Sequence, residues 1–226
     1  MKIEKVFVLN IGTSIQDIKT KLDRGLPDAV WEILPGIKGV DTSREWSPFP
    51  TWKIEGLRSN WWGRELKEGE IGCALSHLQA WEKAHKEGWG CALFLEEDFI
   101  PKVFLGKLRL DLLPDNTDGF YLGRSKHPHV EEKEINSHWI KPGYSYQTHA
   151  YCLTRSGLEK ILKYDYASNL IPSDEFLSAV FTKHPRGDVA EKFKPTLNFY
   201  ASKNQYFIQS PVHLSQTEES SFISRG

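Results

Sequence analysis

Apolar runs and apolar stripes alternate in short blocks along the chain. KVFVLN, residues 5–10, is an unbroken apolar run and predicts a buried strand that ends at Asn10. A helical stretch follows near Ile15 to Leu22, and residues 29–40 hold a second strand before Asp41. EIGCALSHLQAWEKAHKE, residues 70–87, places Ile71, Leu75, Leu78, Ala80 and Trp81 in a helical stripe, with Gly88 and Gly90 as stop signals. A strand from Cys91 to Leu95 comes next, and DGFYLG, residues 118–123, and SYQTHAYCLT, residues 145–154, predict two more. SGLEKILKY, residues 156–164, is a short amphipathic helix. Ser173 reads as the N-cap of a helix over DEFLSAVF, in which Phe176, Leu177, Val180 and Phe181 recur at helical spacing. LNFYA and QYFIQ, near the end, are strand-like, and a polar tail from about 215 is expected to be mobile.

Strands alternating with helices predict an α/β sandwich. Ligands of open α/β sheets sit beyond the carboxyl ends of the strands. Asn10, the acids after Leu95 and Gly123 all fall at such ends, on one rim of a mainly parallel sheet. Residues 41–66 break the pattern. They are rich in Trp, Pro, Ser and Arg without periodicity, and loops of that length inside compact domains are often functional. Trp46, Trp52, Trp61 and Trp62 cluster there and suit either stacking on a sugar or ordinary packing.

With 226 residues, the chain suits a single domain over 1–226. A net charge of -1 gives no field that draws nucleic acid or an acidic membrane. No run approaches a transmembrane segment. MKIEKVFVLN lacks the features of a secretory signal, so the expectation is a cytoplasmic protein, bacterial or viral-encoded. Three cysteines, Cys73, Cys91 and Cys152, lie in apolar or helical contexts at scattered spacing. That argues against a disulfide framework or a zinc site, and they read as reduced core residues.

The chemistry concentrates in CALFLEEDFIP. Glu96, Glu97 and Asp98 stand together at the end of an apolar strand, where unpaired carboxylates repel and resist burial. On an extended segment, Glu96 and Asp98 point the same way and Glu97 points elsewhere. The outer pair can hold one hard cation, Mn²⁺ or Mg²⁺, which commonly bridges carboxylates to phosphates. A solvated acidic turn is the plain alternative.

EGEIGCALSHLQAW followed by CALFLEEDFIP resembles the signature of glycosyltransferase family 25, GEIGC-x-LSH, a helix, and an apolar strand ending in E-D-D. The family includes bacterial lipooligosaccharide galactosyltransferases and collagen hydroxylysine galactosyltransferases. FVLN, FYLGRSKHPH, SYQTHAYCLTRSGLEKIL, LIPSDEFLSAVFTKHP and SPVHLSQTEESS resemble further segments of it, in order and through most of the chain. Two departures stand out: Glu97 replaces the middle Asp, and IGTSIQDIK replaces an Arg-rich stretch after the first strand. The resemblance implies a GT-A-like nucleotide-sugar-binding sandwich and inverting, metal-dependent transfer. A hexose, galactose or glucose, would pass from a UDP-sugar to a hydroxyl of a glycan or a hydroxylated side chain of a protein or peptide. Lipopolysaccharide biosynthesis is the corresponding bacterial setting.

On that reading Glu96 and Asp98 hold the cation, with His213 as a further ligand. Asp174 and Glu175 are the candidates for the base that takes the acceptor proton, Asp174 slightly ahead. Their place in a helix's first turn suits acids whatever the function, because the macrodipole favours them there. Asn10, Ser76, His77, Arg124 and His149 are candidates for donor binding, with turn closure, packing and solvation as their plain alternatives. Clustered acids also serve a divalent-metal phosphohydrolase, and the aromatics suit a carbohydrate-binding module without turnover. The ordered motifs favour the transferase over both.

Overall fold

The computed structural model describes residues 1–57 and 61–210. The chain forms β1 (Lys5–Asn10), α1 (Ile15–Gly25), β2 (Trp31–Pro35), α2 (Glu68–Glu87), β3 (Cys91–Glu96) and β4 (Phe99–Pro101). β5 (Gly119–Lys126), β6 (Lys133–Glu134), β7 (Trp139–Lys141), β8 (Ser145–Thr154) and α3 (Arg155–Ile161) follow. α4 (Ser173–Ala179), α5 (Gly187–Lys192), β9 (Phe199–Ser202) and β10 (Phe207–Gln209) complete the order.

Eight strands make one sheet in the order β2-β1-β3-β8-β5-β9-β7-β6. β2, β1 and β3 are mutually parallel, β8 runs against both β3 and β5, and β9 is parallel to β5. All strands except β7 and β8 therefore share one direction, a mixed and mainly parallel sheet. Alternate residues of β1 feed two separate cores. Phe7 and Leu9 pack with α2 and α4 on one face, and Val6 and Val8 pack with Ile18 and Leu22 of α1 on the other. Burial on both faces explains why the strand sequences are apolar runs rather than alternations.

β4 and β10 pair antiparallel in a small second sheet, so the QYFIQ run is not part of the main one. β2 lies inside the 29–40 stretch expected to hold a strand. Ser173 is the first residue of α4 rather than its cap: Pro172 holds the cap position, and no side chain closes that end. α2 begins two residues before the predicted start, where the Glu70 carboxylate accepts from the Lys67 N–H at 2.8 Å and from both arms of the Arg64 guanidinium. It ends at Gly88, whose φ of 82° is the left-handed cap that a glycine allows.

Among the described residues, the Trp-rich segment forms no helix and no strand but is docked. Trp52 is fully buried, and Trp46, Trp61 and Trp62 pack on the same core. Backbone bonds tie Ser47 to Ala167 and Phe49 to Leu170. Among the described residues, no helix is long and apolar enough to cross a membrane. His213 and the polar tail lie outside the described residues.

Candidate functional site

The antiparallel course of β8 builds the site. β3 ends at Glu96, and the register sets Leu95 opposite Ala150, so the first residues of β8 lie beside the acids. α2 crosses the same rim, and the start of α4 closes it.

The three acids diverge. Glu96 Oε1 accepts from the Thr148 hydroxyl (2.6 Å) and pairs with His77 Nε2 (3.0 Å), and Cys73 Sγ lies 4.0 Å away. Behind it, His77 Nδ1 meets the Tyr151 hydroxyl at 2.8 Å, and that oxygen accepts from Trp81 Nε1–H at 2.7 Å. Burial works to raise the Glu96 carboxyl, but the His77 and Thr148 hydrogen bonds hold it below the ordinary value. Glu97 turns the other way: its Oε2 takes the N–H groups of Ile11, Gly12 and Thr13 at 2.8, 2.9 and 2.9 Å. Three successive N–H groups around one anion form a nest, here filled by the chain's own carboxylate. Asp98 is buried, and its Oδ2 accepts from Gln209 Nε2 at 2.7 Å. Burial and the nearby Glu96 charge raise its pKa to about 7.

The residues fit a hard cation. Among the described residues, Asp98 Oδ1 is buried with no hydrogen-bond partner, and every hydrogen bond to Glu96 goes to Oε1, leaving Oε2 unused. Carboxylate oxygens without such partners are the donor type that Mn²⁺ or Mg²⁺ takes.

Asp174 and Glu175 are adjacent in sequence but occupy different surroundings. Glu175 is enclosed. It receives Trp61 Nε1–H on one oxygen and His184 Nε2 at 2.5 Å on the other. His184 Nδ1 accepts from the Arg186 N–H at 3.1 Å, so Nε2 carries the proton that Glu175 receives. Both of its oxygens are therefore engaged within the protein. Asp174 is only half-buried. It accepts from its own neighbour's N–H, that of Glu175, at 2.9 Å and from the Gln147 N–H at 3.2 Å. Gln147 has φ of 69°, the left-handed region that non-glycine residues seldom adopt, and this turn aims its N–H at Asp174. Burial, then the Glu175 charge, raise the Asp174 pKa to about 7, and the Glu96 charge contributes as well. Ser173 links the two ends of the site, with its hydroxyl 3.0 Å from Thr148 Oγ1 and 3.3 Å from Cys73 Sγ.

Of the residues expected to bind the donor, only His77 contacts this network. Asn10 closes its own turn through Thr13, by Nδ2–H to the Thr13 carbonyl (3.0 Å) and Oδ1 to the Thr13 N–H (2.9 Å). Buried Ser76 ties α2 to the chain before it, donating to the Gly72 carbonyl and accepting from the Ile37 N–H. Arg124 lies inside β5 rather than at a strand end, and its guanidinium is taken by Glu132 at 2.6 Å and the Ser145 hydroxyl at 2.9 Å. His149 is buried, its Nδ1 without a partner among the described residues and its Nε2 3.4 Å from the Phe207 carbonyl, and burial lowers its pKa. Sequence reasoning missed Thr148, Gln147, His184 and Cys73. Cys73 had a signal: it stands four residues before His77, on the same face of one helix. It is partly exposed at the site rather than a core residue like Cys91 and Cys152.

The profile of Glycosyltransferase family 25 (LPS biosynthesis protein) matches residues 5–137, more than half of the chain. A Bos taurus protein named probable inactive glycosyltransferase 25 family member 3 is 32% identical over 185 residues, covering 74% of this chain and 31% of its own length. Procollagen galactosyltransferase 1-B of Xenopus laevis is 27% identical over 241 residues, covering 99% of this chain and 38% of its own. The chain thus spans about a third of the length of the curated relatives it matches. Among solved structures, A197 from STIV covers 99% of both chains at 14% identity with a TM-score of 0.50, a likeness of fold. The α/β sandwich is built on a mixed, mainly parallel sheet, and the profile and the bovine relative, which run through the helix and the acidic turn that frame the site, place this chain in glycosyltransferase family 25.

Proposed function

We propose that the chain is an inverting hexosyltransferase that moves galactose or glucose from a UDP-sugar to a hydroxyl of a glycan or a hydroxylated side chain. The observation that carries this reading is two kinds of carboxylate close enough to feel the Glu96 charge: Asp98, which like Glu96 has an oxygen without a hydrogen-bond partner among the described residues, and half-buried Asp174, with its pKa near neutrality. A bound Mn²⁺ or Mg²⁺ supplies Lewis-acid neutralisation of the diphosphate charge. Glu96 Oε2 and Asp98 Oδ1 are the oxygens that would hold it. Asp174 takes the proton of the acceptor hydroxyl as that oxygen bonds to the sugar carbon and the bond from that carbon to the UDP oxygen breaks. A base with pKa near the working pH combines adequate basicity with adequate population of the ionised form. The two backbone N–H groups keep the Asp174 carboxylate oriented while Glu175, held by His184 and Trp61, keeps the helix start in place.

A sugar-binding protein without turnover is the second reading, favoured by a bovine relative that is named as probably inactive. The two separate on one experiment: UDP release from UDP-galactose and from UDP-glucose, with Mn²⁺ and with chelator, in wild type, Asp98→Ala and Asp174→Asn. Metal-dependent release that is lost in both variants supports the transferase. No release from either sugar, with no metal-dependent UDP binding, overturns it.

A further inference from the structure

Cys73 and His77 stand four residues apart on α2, and Glu96 meets both from the end of β3. One donor atom from each lies within 4.8 Å of the other two, the only such trio among the described residues. His77 Nε2 is 3.0 Å and Cys73 Sγ 4.0 Å from Glu96 Oε1. A tetrahedral zinc ion, with bonds of about 2.0 to 2.3 Å, spaces its donors by about 3.3 to 3.7 Å. The two measured spacings depart from that range by only a few tenths of an ångström.

The surroundings match as well. The far nitrogen of His77 rests on the Tyr151 hydroxyl, the outer contact that fixes a ligating imidazole. Cys73 and Glu96 are partly exposed, so an ion has a path in and a fourth position open to water. A sulfur, nitrogen and oxygen set suits a thiophilic ion, whereas two carboxylates suit Mn²⁺ or Mg²⁺.

We propose that Cys73, His77 and Glu96 form a binding site for a thiophilic divalent cation of the Zn²⁺ class, separate from the hard-cation pair but sharing Glu96 with it. On binding, the Cys73 thiol proton leaves to solvent. His77 gives its Nε2 lone pair, with its proton on Nδ1 facing the Tyr151 oxygen. One consequence rests on the proposed function: an ion held here takes Glu96 from the donor complex, so Zn²⁺ inhibits transfer and excess Mn²⁺ relieves it.

The test of the site itself needs no activity. The full chain is titrated with Co²⁺, whose thiolate complexes show a charge-transfer absorption in the near ultraviolet. One equivalent should produce that band, and Zn²⁺ should abolish it. Cys73→Ser should lose it while keeping the wild-type circular dichroism, and Cys91→Ser and Asp98→Ala should retain it. X-ray absorption of the zinc-loaded wild type should find one sulfur among the atoms bound to zinc, a result that needs no variant. No band, a band that survives Cys73→Ser, or zinc bound only by nitrogen and oxygen overturns the proposal. Because Asp98→Ala removes the hard-cation pair and leaves the cysteine, failure of the transferase reading and failure of this site are separable.

Discussion

Replacing Asp174 by Asn separates two effects of one carboxyl. In the folded protein its pKa is raised from 3.8 to about 7, by burial and by the Glu175 charge. About three units at about 1.36 kcal/mol each put the cost of keeping it ionised at up to about 4 kcal/mol. The native state binds the proton more tightly than the unfolded chain, so this group's contribution to stability is full below about pH 4 and is lost as pH rises through about 7. Asn carries no charge and escapes that cost. It has one oxygen for the two N–H groups of Gln147 and Glu175, so one of these bonds is lost, at about 1 to 3 kcal/mol. The net expectation at pH 8 is a variant more stable than wild type by about 1 to 3 kcal/mol. Yet its transfer rate should fall by about 10² to 10⁴, the usual worth of a general base. Urea unfolding of both proteins at pH 5 and pH 8, without metal, reads the first effect; UDP release reads the second. The stability difference must move toward the variant between the two pH values. A difference independent of pH, or a variant that retains wild-type turnover, refutes the assignment.

Three further outcomes are expected. Asp98 has its pKa raised to about 7, so Mn²⁺ binding at neutral pH should release roughly half a proton from it; calorimetry in two buffers of different ionisation heat measures this, and Asp98→Asn should abolish the difference. Glu97→Ala leaves the N–H groups of Ile11 and Gly12 without their acceptor and that of Thr13 with Asn10 Oδ1 alone, so the amide hydrogens of Ile11 and Gly12 should exchange faster and stability should fall by about 1 to 2 kcal/mol; unchanged protection would show that the carboxylate does not hold this loop. Gly123→Ala puts a methyl 2.4 Å from both His149 Nε2 and the Phe207 carbonyl; chemical denaturation should show a loss of about 1 to 3 kcal/mol, and a neutral result would mean that β10 shifts freely.

Periodicity along the chain determined the elements. The apolar runs at KVFVLN, CALFL, GFYLG and SYQTHAYCLT are β1, β3, β5 and β8, and the stripe from Ile71 to Trp81 is the buried face of α2. These are contacts between residues two, three or four apart, which local composition dictates. The family signature is equally local, and it marked the helix and the acidic turn that frame the site. Glu97 does lie apart from Glu96 and Asp98, bonded to residues 11–13, but strand alternation is not the reason, because β3 ends at Glu96 and residues 97 and 98 form a turn.

Tertiary structure decided what those residues do. Glu96 meets Thr148, 52 residues away, only because β8 runs antiparallel beside β3 and begins where β3 ends. Two neighbouring acids of α4 part company because Trp61 and His184 enclose Glu175 and leave Asp174 partly open. Arg124, Ser76 and Asn10 carry side chains suited to a nucleotide, but the fold spends them on Glu132, on the chain before α2 and on a turn. Cys73 comes to Glu96 and Ser173 from separations of 23 and 100 residues. No local pattern encodes such meetings, because strand order and crossing helices set them. The sequence determined which chemical groups the rim of the sheet would carry; the packing of β3, β8, α2 and α4 decided which oxygens, nitrogens and sulfur remain there to bind anything else.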